Sequence, residues 1–258
     1  MRPDALLFDL DGTLYQGDAA LPGAVDALRR LDALGVPRRF LTNTTRFSRR
    51  ELAGRLRRMG FSVADAELFT APVAAVRWLE AHGIRRVSLC LPRGSWDEFV
   101  SFDRVEDAPE AVVVGDLGEE WSFERLNRAF RALLDGARLV ALQRNRYWMT
   151  PGGLSLDAGP FVAALEFAAR TSAVVVGKPA PEFFRLAASS FGPDAGRIVV
   201  VGDDVEADVG GAQRAGLGGA LVRTGKFRQE ELERSEARPD EIGDSAADLI
   251  ERWFGRAS

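Results

Sequence analysis

The stretch Ala5–Asp18, ALLFDLDGTLYQGD, decides the fold. Its apolar run from Ala5 to Phe8 predicts a strand covered on both faces, as in a parallel sheet. Asp9 and Asp11 follow at the end of that strand, and Gly12 and Gly17 free the backbone to turn. Open α/β sheets bind ligands at the C-terminal edge of their strands, so carboxylates delivered there are placed for chemistry. One carboxylate can attack phosphorus to form an acyl phosphate while a second moves the proton for the leaving group and then for water. Asp-x-Asp-Gly is also an ordinary turn, and the remainder of the chain has to decide between the two.

Working outward, strands and helices alternate. Helical spacing of Val25, Leu28, Leu31 and Leu34 is stopped by Gly35 and Pro37, and a strand follows at Arg39–Leu41. It ends at Thr42-Asn43-Thr44-Thr45, whose hydroxyls and amides suit phosphate oxygens and equally suit a plain loop. Ser48-Arg49-Arg50-Glu51 reads as a capping box that opens a helix with Leu52, Leu56 and Met59 on one stripe. From residue 71 the alternation restarts and continues to residue 172, long enough for a domain of its own. The expected organisation is therefore an α/β core made of residues 1–70 and 173–258, a doubly wound parallel sheet, with residues 71–172 inserted as an α/β cap.

The core resumes with AVVVGKP, a buried strand presenting Lys178 at its end. Among the 34 basic residues only Lys178 and Lys226 are lysine, so a retained lysine suggests a site that needs a compact charge rather than a planar fork. Ile198–Val201 is a further strand, and it runs into Gly202-Asp203-Asp204, with Asp208 beyond on a helical stretch. Leu249–Phe254 reads as a terminal helix or strand. If Asp9, Asp11 and Asp203 converge, two carboxylates about 5 Å apart repel by roughly 3 kcal/mol at an effective dielectric of 20. One lysine does not offset this together with a bound phosphate, so a divalent cation is expected. An all-oxygen donor set favours Mg2+ over zinc.

DLDGTLY, Thr42-Asn43, Lys178 and Gly202-Asp203-Asp204 with Asp208, in this order, resemble the four motifs of the haloacid dehalogenase superfamily. The segments VGKP and LVRTGK extend the similarity nearly end to end, and it points to the NagD-like subgroup with a large α/β cap of the C2 type. The resemblance implies a Rossmann-like core and a phosphatase. Asp9 would be the nucleophile and Asp11 the general acid and base. Magnesium would be held by Asp9, the Asp11 backbone carbonyl and Asp203. Thr42, Asn43 and Lys178 would bind the phosphoryl group, with Asp204 and Asp208 in support. Within the cap, Gln143, Arg144, Asn145 and Arg146 are candidates for reading the leaving group. A dehalogenase would need neither the metal nor Asp11. A phosphoryl-ligand sensor that has lost turnover is the alternative outside enzymes.

Composition narrows the partners. With 46% hydrophobic and 28% charged residues the chain is of ordinary globular make-up, and a net charge of −4 argues against general nucleic-acid binding. A small phosphorylated substrate, no membrane span and a cytoplasmic setting are expected, and a homodimer through the cap is the oligomeric expectation. The single cysteine, Cys90 within VSLCL, is expected to be a buried structural thiol. His82 is the only histidine and is placed at a helix end, which leaves no histidine triad or zinc cluster.

Overall fold

The structure is a computed structural model that describes residues 2–45, 47–150 and 152–255. The chain divides into two compact units, the first made of Met1–Thr42, Arg49–Phe69 and Lys178–Ser258, the second of Asn43–Ser48 and Thr70–Gly177.

The first unit is built on a six-stranded sheet, in the order Glu241–Gly243, Gly218–Val222, Ile198–Gly202, Ala5–Asp9, Arg38–Thr42, Leu68–Thr70. The Ala5–Asp9 strand runs parallel to both of its neighbours. Leu6, Leu7 and Phe8 are all fully buried, because side chains on alternating faces of a central strand both meet a core. On one face Leu6, Phe8, Phe40 and Val201 pack with Leu28 and Leu31 of the helix Ala24–Ala33, Leu52 and Leu56 of Arg49–Arg58, and Leu249 and Ile250 of Ala246–Phe254. On the other, Leu221 meets Val205 and Val209, whereas its strand neighbours Ala220 and Val222 belong to the first cluster. Truncating one of these buried phenylalanines, for example Phe8→Ala, costs about 3–5 kcal/mol by the lost transfer energy and the cavity left behind. This is the doubly wound α/β core that the alternation implied.

The strand before Lys178 departs from the sequence reading: Val174–Val175 pairs with Arg138–Ala141 in the second unit's sheet rather than with a strand of the six-stranded sheet. The terminal segment, read as helix or strand, is a helix, Ala246–Phe254, whose first turn is capped by Ser245 accepting from Asp248 N–H at 3.1 Å. A short edge strand, Glu241–Gly243, precedes it. The turn after Asp204 is wound as a π-helix over Val205–Gly210 before a short α-helix at Gly211–Arg214, a form common at functional sites.

The second unit has a five-stranded parallel sheet in the order Val174–Val175, Arg138–Ala141, Ala111–Val114, Arg86–Cys90, Asp103–Arg104. Helices Phe123–Leu134 and Ala158–Ala169 pack on one face through Ala129, Leu133, Val162 and Leu165. An antiparallel hairpin, Tyr147–Thr150 with Gly153–Leu156, lies outside this sheet. Cys90 is buried and its thiol is pushed up to about 11 by desolvation, as expected of a structural cysteine. His82 terminates the helix Ala71–Ala81, donating from Nδ1 to the Trp78 carbonyl at 2.7 Å and stacking on the Trp78 ring. Among the described residues no helix is long and apolar enough to cross a membrane.

Candidate active site

Parallel register brings the acidic strand ends together. Phe8 aligns with Val201 and Asp9 with Leu41, so Asp9, Gly202-Asp203 and Thr42 share one edge of the sheet. Asp9, Lys178, Asp203 and Asp208 are each at most 7% exposed, a dense set of charges to withdraw from water. Lys178 resolves part of that cost. Its Nζ donates to Asp9 Oδ1 and, at 2.7 Å, to Asp208 Oδ1. Burial works against its charge, but the Asp208 and Asp9 carboxylates outweigh it and raise the lysine pKa, which keeps the ammonium protonated.

Each carboxylate is further held. Thr13 Oγ1 donates to Asp9 Oδ2 at 3.4 Å. Asp208 Oδ2 accepts from the Asp204 N–H at 3.2 Å, and Asp204 Oδ1 caps the π-turn by accepting from Glu206 and Ala207 at 3.1 and 2.8 Å. Asp203 Oδ2 accepts from the Lys226 N–H at 2.6 Å, and Thr224 Oγ1 donates to the Gly12 carbonyl at 2.5 Å. The Thr224–Lys226 loop is thereby tied to both ends of the acidic edge. Gly12 and Gly225 have φ of +86° and +57°, and a Cβ on either would run into the Asp203 carboxylate.

The electrostatics differ from one acid to the next. Desolvation and then the Asp9 charge push Asp203 up to about 6. Desolvation and Asp9 also raise the pKa of Asp11, a more exposed side chain that Lys226 and Arg55 pull partly back. A carboxyl held above its ordinary range retains a proton more readily, which suits an acid and base. Asp9, Asp203 and Asp208 each offer an oxygen, these oxygens lying within 4.8 Å of one another. With Lys178 committed to Asp9 and Asp208, this oxygen set fits a hard divalent cation.

The remaining candidates lie elsewhere in the chain. Thr42 ends its strand beside Asp9, whereas Asn43 begins the first segment of the second unit. Gln143, Arg144, Asn145 and Arg146 also belong to the second unit. Gln143 is buried: its Nε2 donates to Asp157, and its Oε1 accepts from the Asn145 N–H at 2.5 Å. Asp157 in turn caps the helix Ala158–Ala169, accepting from Ala158 at 2.7 Å. Arg144 pairs with Glu166 at 2.7 Å, and Asn145 and Arg146 are exposed. Thr13, Thr224 and Gly225 were not singled out from the sequence as site residues. The threonine of DGT and the TGK triplet after a buried strand are the signals that mark them.

Comparison with known proteins bears on the family. The haloacid dehalogenase-like hydrolase family matches residues 6–103, and a HAD-hydrolase-like family matches 175–249. Haloacid dehalogenase-like hydrolase domain-containing protein 2 of Homo sapiens is 44% identical over 91% of this chain and 90% of its own. Phospholysine phosphohistidine inorganic pyrophosphate phosphatase of Homo sapiens is 38% identical, over 95% and 92%. Among solved structures, NagD from E. coli K-12 superposes with a TM-score of 0.88 at 25% identity, covering 96% of this chain and 98% of that one. A glycerol phosphate phosphatase from Mycobacterium tuberculosis in complex with magnesium gives 0.85 at 32%, covering 96% and 76%. The chain belongs to the haloacid dehalogenase-like hydrolase family, in its NagD-like branch, and carries the phosphatase core of that group.

Proposed function

We propose that the protein is a magnesium-dependent phosphohydrolase that acts on a small phosphorylated metabolite through an aspartyl-phosphate intermediate. The observation that carries this reading is the Lys178 ammonium bridging Asp9 and Asp208 at the acidic end of the sheet. It fixes one carboxylate oxygen of Asp9 while keeping positive charge where a phosphoryl group would arrive.

Asp9 attacks phosphorus, forming an O–P bond as the bond to the leaving group breaks, and Asp11 gives its proton to the departing atom. Asp11, now ionised, takes a proton from water. The resulting hydroxide displaces Asp9 and releases inorganic phosphate, which returns both carboxyls to their starting states. Lys178, Thr42 and the Asn43 N–H bind the oxygens of the transferring group. Asp9, Asp203 and the Asp11 carbonyl would hold the cation, which supplies charge neutralisation for the phosphoryl oxygens. Asp208 orients Lys178, and Asp204 orients Asp208.

Leaving-group selectivity is assigned to the Gln143–Arg146 loop, whose shape Gln143 and Asp157 set. Because one relative is named for phospholysine, phosphohistidine and pyrophosphate, P–N and P–O–P bonds belong in the substrate set beside simple esters. A homodimer through the second unit completes the proposal, and a monomeric mass at micromolar concentration would end that part of it. The test is phosphate release from a panel of phosphomonoesters, phosphoramidates and pyrophosphate, with and without magnesium, using Asp9→Asn as the blank. Magnesium-dependent release on a panel member supports the reading. Turnover without added metal and in the presence of EDTA, or retained by the blank, overturns it.

A further inference from the structure

The second unit contains a cavity of about 320 Å³ on the helix-covered face of its sheet, near the Asp103–Arg104 edge. Its lining includes the strand Arg86–Cys90, the helix Phe123–Leu134 and the 3-10 helix Arg93–Phe99. Arg93, Arg104, Arg125 and Arg128 line this space, and Glu106 is the one acidic residue of the lining. In a chain with a net charge of −4, that local excess of positive charge requires an account.

Two of the four are already engaged by acids. Arg128 pairs with Glu106 and, at 3.0 Å, with Glu124, and Arg125 lies 3.7 Å from Glu120. Arg93 and Arg104 have no carboxylate partner among the described residues. They lie over the Trp96 ring instead, their guanidinium carbons 5.1 and 5.5 Å from its centroid. The ring is itself held, its Nε1 donating to the Leu91 carbonyl at 3.0 Å. Stacking on an aromatic holds the plane of a guanidinium while leaving its N–H groups free to donate in that plane. Of the lining, Cys90 is buried, whereas Arg93, Arg104 and Glu106 are exposed to solvent. With Trp96 engaged by two cations, the cavity selects charge rather than an aromatic ring.

We propose that this cavity binds a small, multiply charged oxyanion, held by Arg93 and Arg104, as an effector site separate from the acidic edge of the first unit. Its volume is at the small end of the ligand-pocket range, which suits a metabolite-sized anion. Planar guanidiniums take phosphate or carboxylate oxygens two at a time. The inference stands independently of the phosphatase reading, because none of its residues belongs to that chemistry.

The test is calorimetric titration of the 258-residue chain with pyrophosphate and, separately, with citrate, in EDTA so that the metal-free acidic edge repels anions. One saturable site per chain is expected, weakened at least about tenfold in Arg93→Ala/Arg104→Ala. Tighter binding of pyrophosphate than citrate identifies a phosphorylated effector, and the reverse identifies a polycarboxylate; either supports the site. No saturable binding of either anion, or equal binding by the double variant, would overturn the proposal. Catalytic activity of the double variant without added anion is expected to match the parent.

Discussion

Lys178 and Asp208 form a buried ion pair at 2.7 Å, and the free oxygen of Asp208 is tied at 3.2 Å to the Asp204 N–H. The ammonium is thereby aimed at Asp9 by a rigid turn rather than by its own flexible stem. Its slot is closed on the other side by Asp9, so a longer and planar cation cannot donate to both acids. Lys178→Arg is accordingly expected to lower kcat/KM by at least about 100-fold, the order of loss that misplacement by an ångström brings. Phosphate-release kinetics on the best panel substrate check this, and parent-like kinetics would remove Lys178 from phosphoryl binding.

Asp9→Asn tests the nucleophile. An amide does not attack phosphorus, so turnover is expected to fall at least about 1000-fold. The fold should survive. Asparagine keeps the shape and an acceptor for Lys178, while loss of the charge relieves repulsion with Asp203, on which Asp9 acts directly. A melting temperature within a few degrees of the parent, together with residual activity within a few-fold of it, would sink the assignment.

Gly225 and Gly17 separate crowding from backbone conformation. Both have positive φ, +57° and +61°, but a Cβ at Gly225 meets the Asp203 carboxylate whereas one at Gly17 meets nothing within 4 Å. Alanine at either position carries the left-handed backbone penalty of about 1–2 kcal/mol. Only Gly225→Ala displaces Asp203 as well. Gly17→Ala should therefore lose some thermal stability with activity kept, and Gly225→Ala should lose activity by more than about tenfold and require more magnesium. Equal activity of the two variants across a magnesium titration would show that Asp203 tolerates the displacement.

What could be read in advance was whatever chain order alone carries. A buried run that stops at a charge is visible at Phe8-Asp9 and Gly202-Asp203, and parallel pairing places these two stops at one edge; the run before Lys178 reads the same way, but Val174–Val175 pairs with Arg138–Ala141 in the sheet of the second unit. The Thr224–Lys226 loop escaped because its role is to donate a backbone N–H and a hydroxyl to distant partners, and neither depends on a distinctive side-chain pattern. Glu241–Gly243 escaped because three residues at a sheet edge need little hydrophobic patterning. The π-turn at Val205–Gly210 is set by Asp204 bonding to Glu206 and Ala207, whereas its apolar spacing reads as plain helix. In the second unit, Gln143 reads from the sequence as a candidate for contacting the leaving group. Only the folded chain shows it buried against Asp157, shaping the loop instead of facing solvent.

The second unit also offers a pH test away from the catalytic edge. Glu110 accepts from the N–H groups of Arg85 and Arg86 at 2.7 and 2.8 Å, and these two backbone bonds, the Arg86 one foremost, hold its carboxyl below the ordinary 4.5. A depressed carboxylate favours folding when ionised: its contribution is present above the unfolded value and is lost as the pH falls through the lowered folded value. Both N–H groups reach one oxygen, Oε2, so Glu110→Gln can keep that acceptor through its amide oxygen while removing the charge. At pH 7 the variant should melt slightly below the parent, the difference being small because Glu110 is exposed to solvent. As the pH falls from 4.5 through the lowered folded value the two melting temperatures should converge, because below that value the parent's glutamate is neutral as well. Parallel curves down to pH 3 would show that the ionised carboxylate does not anchor the start of the Arg86–Cys90 strand.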